Sequence, residues 1–322
     1  MKFLTESKDT GKRLDILLSN YIKELTRSNI KKVIKNNNVK INGKIVNYPS
    51  QKVLGNQRIT ISLIQKDNVT IKPQKIKLDI IFEDNDIIVI NKPAGMVVHP
   101  GAGNSKDTLV NALIYKYKKN LSDINGAVRP GIVHRLDKHT SGLLVIAKNN
   151  LAHSNLGNQF NKHTIERKYI MLIWGVIRPL EGKIITKISR SKKNRQLMEV
   201  NDLKGKKAIT NYKTIKVFNI EDIPRISLIE CTLETGRTHQ IRVHMKYKGV
   251  YLIGDAQYGK KNLKFRKINK EFKKIIETLS GQALHAKFLG FVHPRNKKNL
   301  IFKKEPPKKF KKLLNFLEKL SS

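Results

Sequence analysis

Ile80-Ile-Phe-Glu-Asp-Asn-Asp-Ile-Ile-Val-Ile-Asn91 decides how the larger part of this chain is read. Two runs rich in β-branched residues flank the polar stretch Glu83-Asp-Asn-Asp86, the composition of a turn between paired strands. Further strand-like runs occupy 142–148, 168–174, 208–218 and 225–234, and helical periodicity marks 107–117, 151–163 and 238–247. Strands and helices do not alternate in units of even length. The pattern therefore predicts an α+β domain on a mixed, mostly antiparallel sheet, not a doubly wound one. It runs from Leu78 to Ser322. Near its end Phe310, Leu313, Leu314, Leu317 and Leu320 recur at helical spacing after Pro306-Pro307, which predicts a docked terminal helix.

Upstream, Leu14, Ile16, Leu17, Leu18, Tyr21 and Ile22 form a helical stripe. Thr26 or Ser28 then caps a second helix carrying Ile30, Val33 and Ile34. Val39-Lys-Ile-Asn-Gly-Lys-Ile-Val46 reads as two short strands about an Asn42-Gly43 turn, and Gln57-Arg-Ile-Thr-Ile-Ser-Leu63 as a closing strand. This order over residues 11–63 resembles the small RNA-binding module first described in ribosomal protein S-four. Residues 64–77 lack a clean period and contain Pro73, the composition of a linker.

The chain of 322 residues carries 65 Lys and Arg against 25 Asp and Glu, a formal charge of +40. An excess of that size implies a polyanionic partner. The bases run from Lys2 to Lys319 instead of crowding one amphipathic helix, which favours nucleic acid over a membrane surface. A single cysteine, Cys231, rules out a disulfide framework and a thiolate zinc site. With no signal-peptide core at the start and no apolar run of membrane-spanning length, a cytoplasmic protein is expected. Gly101-Ala-Gly-Asn-Ser-Lys106 has lysine where a dinucleotide loop needs its third glycine. Gly11, Gly43, Gly182, Gly205 and Gly259 are each followed by Lys, but none continues into the Ser or Thr of a phosphate loop. His239 and His244 are five apart and no HExxH occurs, so no metal is expected.

Polar density concentrates in two places. In Gly131-Ile-Val-His-Arg-Leu-Asp-Lys-His-Thr-Ser-Gly142, followed by the apolar Leu143-Leu-Val-Ile-Ala147, Asp137 stands among His134, Arg135, Lys138 and His139. Cationic neighbours favour its ionised form, which suits a nucleophile or general base. In Leu233-Glu-Thr-Gly-Arg-Thr-His-Gln-Ile-Arg-Val-His244, Gly236 ends a strand and Thr238 is placed to cap a helix. Ile241 and Met245 then face a core, with His239, Arg242 and Lys246 gathered on the other side.

These two stretches resemble the defining motifs of the RluA-type RNA pseudouridine synthases. Asn91-Lys-Pro-Ala-Gly-Met-Val-Val-His-Pro-Gly-Ala-Gly103, Arg167-Lys-Tyr-Ile-Met-Leu-Ile-Trp-Gly175, Gly254-Asp-Ala-Gln-Tyr-Gly259 and Ala283-Leu-His-Ala286 are also similar to family segments, in the family's order. The first of these looks most like the RluD group, which acts on large-subunit ribosomal RNA. The resemblance implies a pseudouridine synthase fold behind the small module, and isomerisation of uridine with no cofactor. It assigns Asp137 as the catalytic carboxylate, Arg242 as the base holding it by a bidentate fork, and Tyr169 as the ring stacking on the target uracil. Leu233 would line the base pocket, Arg135 would hold the flipped nucleotide, and His239 and Gln240 would bind substrate. Most relatives carry an acid where this chain has His139, so the hydrogen bonding of that loop should differ.

Asp137 could attack the anomeric carbon, remove a sugar proton, or attack the uracil ring, and the sequence leaves these open. Arg13, Arg27, Lys31, Lys32 and Lys44 in the first module are expected to hold RNA phosphates, as are Arg190, Lys192, Lys193 and Arg195 in the second. The expected partner is ribosomal RNA or a large-subunit precursor particle, met by a monomer. A catalytically idle assembly protein, or a methyltransferase sharing the small module, are the competing readings. The second lacks a glycine-rich cofactor loop.

Overall fold

The computed structural model describes residues 1–22, 27–62, 71–101, 103–118, 120–221, 223–259 and 270–321. They fall in two compact units, 1–69 and 70–322. The first contains β1 (Lys2–Leu4), α1 (Leu14–Tyr21), α2 (Arg27–Lys35), β2 (Val39–Ile41), β3 (Lys44–Ile45) and β4 (Arg58–Ile61). Its sheet has the order β1-β4-β2-β3, all antiparallel. Asn42 and Gly43 both take positive φ, 48° and 83°, as a two-residue turn between twisted strands requires. Leu14, Leu17 and Leu18 of α1 and Ile30 and Ile34 of α2 pack with Val39 and Ile59 into one core. Of the two expected caps, Thr26 lies outside the described residues, while Ser28 falls within α2, which already includes Arg27, and so does not precede the helix.

The second unit begins with β5 (Ile80–Glu83), β6 (Ile87–Lys92), α3 (Leu109–Tyr117), β7 (Ser141–Ala147), α4 (Asn150–Asn161) and β8 (Glu166–Trp174). It continues with β9 (Glu181–Arg190), β10 (Met198–Val200), β11 (Lys206–Phe218), β12 (Ile226–Leu233), α5 (Gln240–Tyr247) and β13 (Tyr251–Leu252). Last come α6 (Lys270–Glu277), β14 (Leu284–Val292), β15 (Asn299–Lys303) and α7 (Lys308–Leu320). One sheet runs β10-β9-β11-β12-β8-β14-β7-β6-β5, with β13 added to β8 and β15 to β14. β5 and β6 form the hairpin that the opening stretch predicts. Every pairing between these named strands is antiparallel except β14 with β7.

Period-two alternation sends Ile88, Ile90, Leu144 and Ile146 to one side, where they meet α3 and α5. Ile87, Val89, Leu143 and Val145 go to the other, against α4. Further along that sheet α6 and α7 close over Leu172, Trp174 and Leu228. Residues 71–77 are less free than a linker: Ile71 and Leu78 pack on the core, and Lys72 and Gln74 hydrogen-bond to Asn111.

The parallel seam depends on Gly142, whose φ is 119°. A Cβ there would lie 2.3 Å from the Ala286 carbonyl oxygen and 2.6 Å from its nitrogen, both backbone atoms with nowhere to move. Gly142→Ala should therefore cost upwards of ~3 kcal/mol, read as a collapse in soluble yield or melting temperature.

At the far edge Arg295 grips Asp86 through two hydrogen bonds of 2.7 Å and holds its carboxyl down to about 2. A folded pKa below the unfolded one gives stability that is full above pH ~4 and lost as pH falls through about 2. Thermal melts from pH 5 to pH 2 should fall less steeply for Asp86→Asn than for the parent protein, by roughly 1–2 kcal/mol in total.

Candidate active site

Asp137 sits in the loop before β7, and both sides of that loop are anchored. Leu136 is buried, and the Asp137 carbonyl accepts from Thr140 N–H at 3.1 Å. The next carbonyl, that of Lys138, accepts from Gly95 N–H and from the Nζ of Lys92. Lys92 is fully buried, and its ammonium also donates to the carbonyls of Pro93 and Met96, both at 2.8 Å. Burial pulls its pKa down to about 7 against the opposing field of Asp137. Three carbonyls match the three N–H groups of an ammonium, which is how the Asn91-Lys-Pro-Ala-Gly95 turn clamps the aspartate loop.

Arg242 approaches from the first turns of α5. Its Nη1 donates to Asp137 Oδ2 at 3.1 Å, while Nε and Nη2 grip Asp255 at 2.7 and 2.8 Å. Nη2 also donates to Gln257 Oε1 at 2.8 Å. The bidentate fork expected on Asp137 is thus closed on Asp255, and Asp137 receives a single bond. The reason is geometric: Asp255 already accepts the backbone N–H of Gln257 and Tyr258, which fixes it in the plane of the guanidinium. Burial opposes the charge on both partners, but their contact raises the pKa of Arg242 and lowers that of Asp255.

The helix start also differs from expectation. Thr238 is not the cap; His239, with φ 57°, precedes the helix, and Gln240 folds back to accept from Arg237 N–H and from Thr235 Oγ1. The amide nitrogen of Gln240 donates to Ile209 O and Thr210 Oγ1, both at 3.0 Å. Gln240 borders the pocket, yet its amide is committed inside the protein, the position of a brace instead of a substrate ligand. His244 similarly ties α5 to Thr186 and Thr210.

A pocket of about 350 Å³ opens over this cluster, bordered by Asp137, Arg135, Tyr169, Leu233, His239 and Arg242. All the residues expected at the catalytic centre therefore meet in one cavity. Tyr169 and Leu233 are buried on adjacent strands, Arg135 is exposed at the edge 3.4 Å from the ring of His99, and His239 Nε2 lies 3.8 Å from Asp137 Oδ1. The Nδ1 of His239 pairs with the Tyr258 hydroxyl at 2.8 Å, and Tyr258 lays its ring 4.7 Å from the Arg242 guanidinium. Past Asp137 a second recess of about 690 Å³ continues between His99, Asn104, Lys138 and Gln282. His139 borders it and packs on Gly281, where a Cβ would fall 2.4 Å from the His139 Cβ.

In the first unit the expected RNA ligands divide. Arg13, Arg27 and Lys31 converge on the fully buried Asp15, at 3.0, 3.0 and 3.5 Å, so their charge is partly answered. Lys32 and Lys44 are exposed. In the second, Lys192, Lys193 and Arg195 are exposed at the tip of the β9–β10 hairpin. Among the described residues one trio has metal-like spacing, Asp84, Asp86 and His293. Its atoms are already engaged, Asp86 by Arg295 and Asp84 by His293, and none of the three borders the pocket.

The family model of RNA pseudouridylate synthases matches residues 86–247, the span that holds most of this cluster. This chain belongs to the RNA pseudouridylate synthase family. The model of the S4 domain matches residues 12–59 of the same synthase. A relative from Zymomonas mobilis, named ribosomal large subunit pseudouridine synthase D, is 43% identical over 95% of this chain and 94% of its own length. One of the same name from Buchnera aphidicola is 41% identical over 96% of this chain and 95% of its own. The fold is similar to that of human RNA pseudouridylate synthase domain containing 1, with a TM-score of 0.55, 21% identity and coverage of 76% and 87%. No helix among the described residues is long and apolar enough to cross a membrane.

Asp255, Tyr258 and Arg167 carry contacts in this synthase that motif spacing did not reveal. Their segments stood out as similar to the family, but spacing alone shows no partner for Asp255. Asp255→Asn removes the charge that fixes Arg242. It should cost about 3–5 kcal/mol of stability, and in folded protein at least ~100-fold in turnover through misplacement of Asp137, with RNA affinity kept. Denaturant melts and single-turnover assays check both.

Proposed function

We propose that this synthase isomerises uridines of large-subunit ribosomal RNA, with Asp137 as its catalytic carboxylate. The observation that carries this is the placement of Asp137: half-buried at the pocket wall, it is held through Oδ2 by Arg242, and its Oδ1 faces His239 and the cavity. The names of the relatives favour ribosomal RNA as the substrate.

Pseudouridine formation breaks the bond between ribose C1′ and uracil N1, turns the base and joins C1′ to C5. Nothing is oxidised or added, so no cofactor or metal is demanded by the stoichiometry. A flipped uridine enters the pocket with its base between Tyr169 and Leu233, flat and apolar surfaces that let it turn. The sugar then meets Asp137, which either attacks C1′ or takes the proton on C2′. Arg242 keeps the carboxylate oriented through its 3.1 Å contact with Oδ2. Arg135 stands at the exposed edge, placed to fill or support the gap left in the RNA. The recess beyond Asp137 has room for the neighbouring nucleotide.

Lys32 and Lys44 in the S4 unit, with Lys192, Lys193 and Arg195 on the hairpin, offer phosphate contacts that position RNA without reading its sequence. Such a substrate places the protein in the cytoplasm, where ribosomes are built in bacteria.

The test incubates wild-type and Asp137→Asn protein with unmodified large-subunit RNA fragments and with transfer RNAs, then maps pseudouridine by carbodiimide labelling and primer extension. Pseudouridine should form in large-subunit RNA with the wild type only, a loss of more than ~1000-fold. Both proteins should bind RNA equally, with log affinity falling linearly against log salt. Isomerisation by Asp137→Asn would remove Asp137 from its role, and modification confined to transfer RNA would remove the ribosomal substrate.

A further inference from the structure

Three buried cations surround this site, and two of them have their charge answered. Lys92 is met by three carbonyls, and Arg242 by Asp255 and Asp137. Arg167, on β8, is only 6% exposed and makes no salt bridge among the described residues. Among the described residues its Nε is buried without a hydrogen-bond partner, and Nη2 reaches only the Leu233 carbonyl, at 3.4 Å. The Phe160 ring lies 5.4 Å from the guanidinium, a weak substitute for a counter-ion. Burying a cation without an anion or a full set of acceptors costs stability, so its retention asks for an explanation in function.

The placement supplies one. Two residues before Tyr169 on the same strand, Arg167 shares its side of the sheet, and both border the pocket with Asp137 and Leu233. Gly236 leaves space beside it, since a Cβ there would stand 2.7 Å from Nη1. The side chain is thus held against the cavity where the base must lie, away from the exposed basic hairpin that suits phosphates.

We propose that Arg167 is a further catalytic residue, whose guanidinium holds the uracil anion set free when the C1′–N1 bond breaks. The proposal rests on the pseudouridine synthase reading above, but not on which route Asp137 takes. In both routes the bonding electron pair leaves with N1. On the sugar it is replaced either by a bond from Asp137 to C1′, or by a C1′–C2′ double bond as the C2′ proton passes to Asp137. The base becomes a monoanion, its charge spread over N1, C5, O2 and O4.

Half a turn about the N3–C6 axis exchanges N1 with C5 and O2 with O4. A fixed cation therefore faces a carbonyl oxygen before and after the turn. C5 then uses its electron pair to bond C1′, which expels Asp137 or recovers the C2′ proton, and the hydrogen lost from C5 is replaced by one on N1. The composition is unchanged. A preorganised cation at developing negative charge is the kind of group that lowers such a barrier.

The experiment compares wild type, Arg167→Met, Arg167→Lys and Gly236→Ala on the RNA that the Asp137 comparison identifies, with uridine or 5-fluorouridine at the target. The fluorinated base is the better leaving group and needs less help. Arg167→Met should melt higher than wild type, bind RNA as tightly, and consume target uridine about 100–1000-fold more slowly. Its defect should shrink at least several-fold with 5-fluorouridine. Arg167→Lys should recover part of the rate, and Gly236→Ala, which displaces Nη1, should lose rate without losing RNA affinity.

A lower melting temperature with a wild-type rate per folded molecule would make Arg167 structural and overturn the proposal. A loss of RNA affinity that is equal for both bases would reassign it to a phosphate and also overturn it. An inactive wild type would remove the synthase reading, and the proposal with it.

Discussion

The guanidinium of Arg242 is the constraint from which the rest of the site follows. Taken out of water, it has to be met by carboxylates in its own plane, and two segments far apart in sequence supply them. Asp255 takes the fork and Asp137 the remaining nitrogen. Because α5 is itself tied to β9 and β11 through His244 and Gln240, the guanidinium cannot follow either loop if it drifts. Asp137 is positioned by a rigid body, and its second oxygen is left facing the cavity. A fork closed on Asp137 itself would have occupied both oxygens and left neither for the catalytic role proposed above.

The same logic recurs on the other side of the aspartate. Lys92 is a buried ammonium whose three hydrogens reach three carbonyls, and one of these carbonyls belongs to Lys138, next to Asp137. The loop is therefore gripped by main chain on one flank and by Arg242 on the other. Beneath it, Gly142 lets β7 lie against the backbone of Ala286, which brings the one parallel strand pairing of the described sheet directly under the Asp137 loop. Fold and site meet at these few atoms.

Much of this was legible in the sequence. β6 and β7 are apolar on both faces and bounded by turn residues, so their runs stand out, and α3, α5 and α7 show clear helical spacing. β9, β14 and β15 did not stand out. Lysines interrupt their alternation, as at Lys183, Lys187, Lys287 and Lys303, and only pairing with stronger neighbours makes them strands. The site residues announced themselves as types, but not as partners. Arg242 and Asp137 were paired correctly while the fork was misassigned, because Asp255 owes its hold on Arg242 to a backbone turn that spacing does not display. For the same reason Arg13, Arg27 and Lys31 read as free phosphate ligands, although all three point at Asp15.

That last contact fits a wider division of charge. Four aspartates among the described residues are buried, and each is held by a cation: Asp9 by Lys12, Asp15 by three bases, Asp86 by Arg295 and Asp255 by Arg242. With 25 acids against 65 bases, committing these acids to internal pairs leaves the surplus of positive charge to the surface. Exposed acids such as Glu181 and Glu277 pair some of the surface lysines, but the remaining surplus suits a polyanion. Asp137 departs from this pattern, since it is paired to a buried cation and still faces the cavity. In a protein whose exterior attracts phosphate, this carboxylate is shielded from the RNA backbone by its pocket. On the function proposed above it would meet only a nucleotide that has left the stack, which would make base flipping a condition of the chemistry.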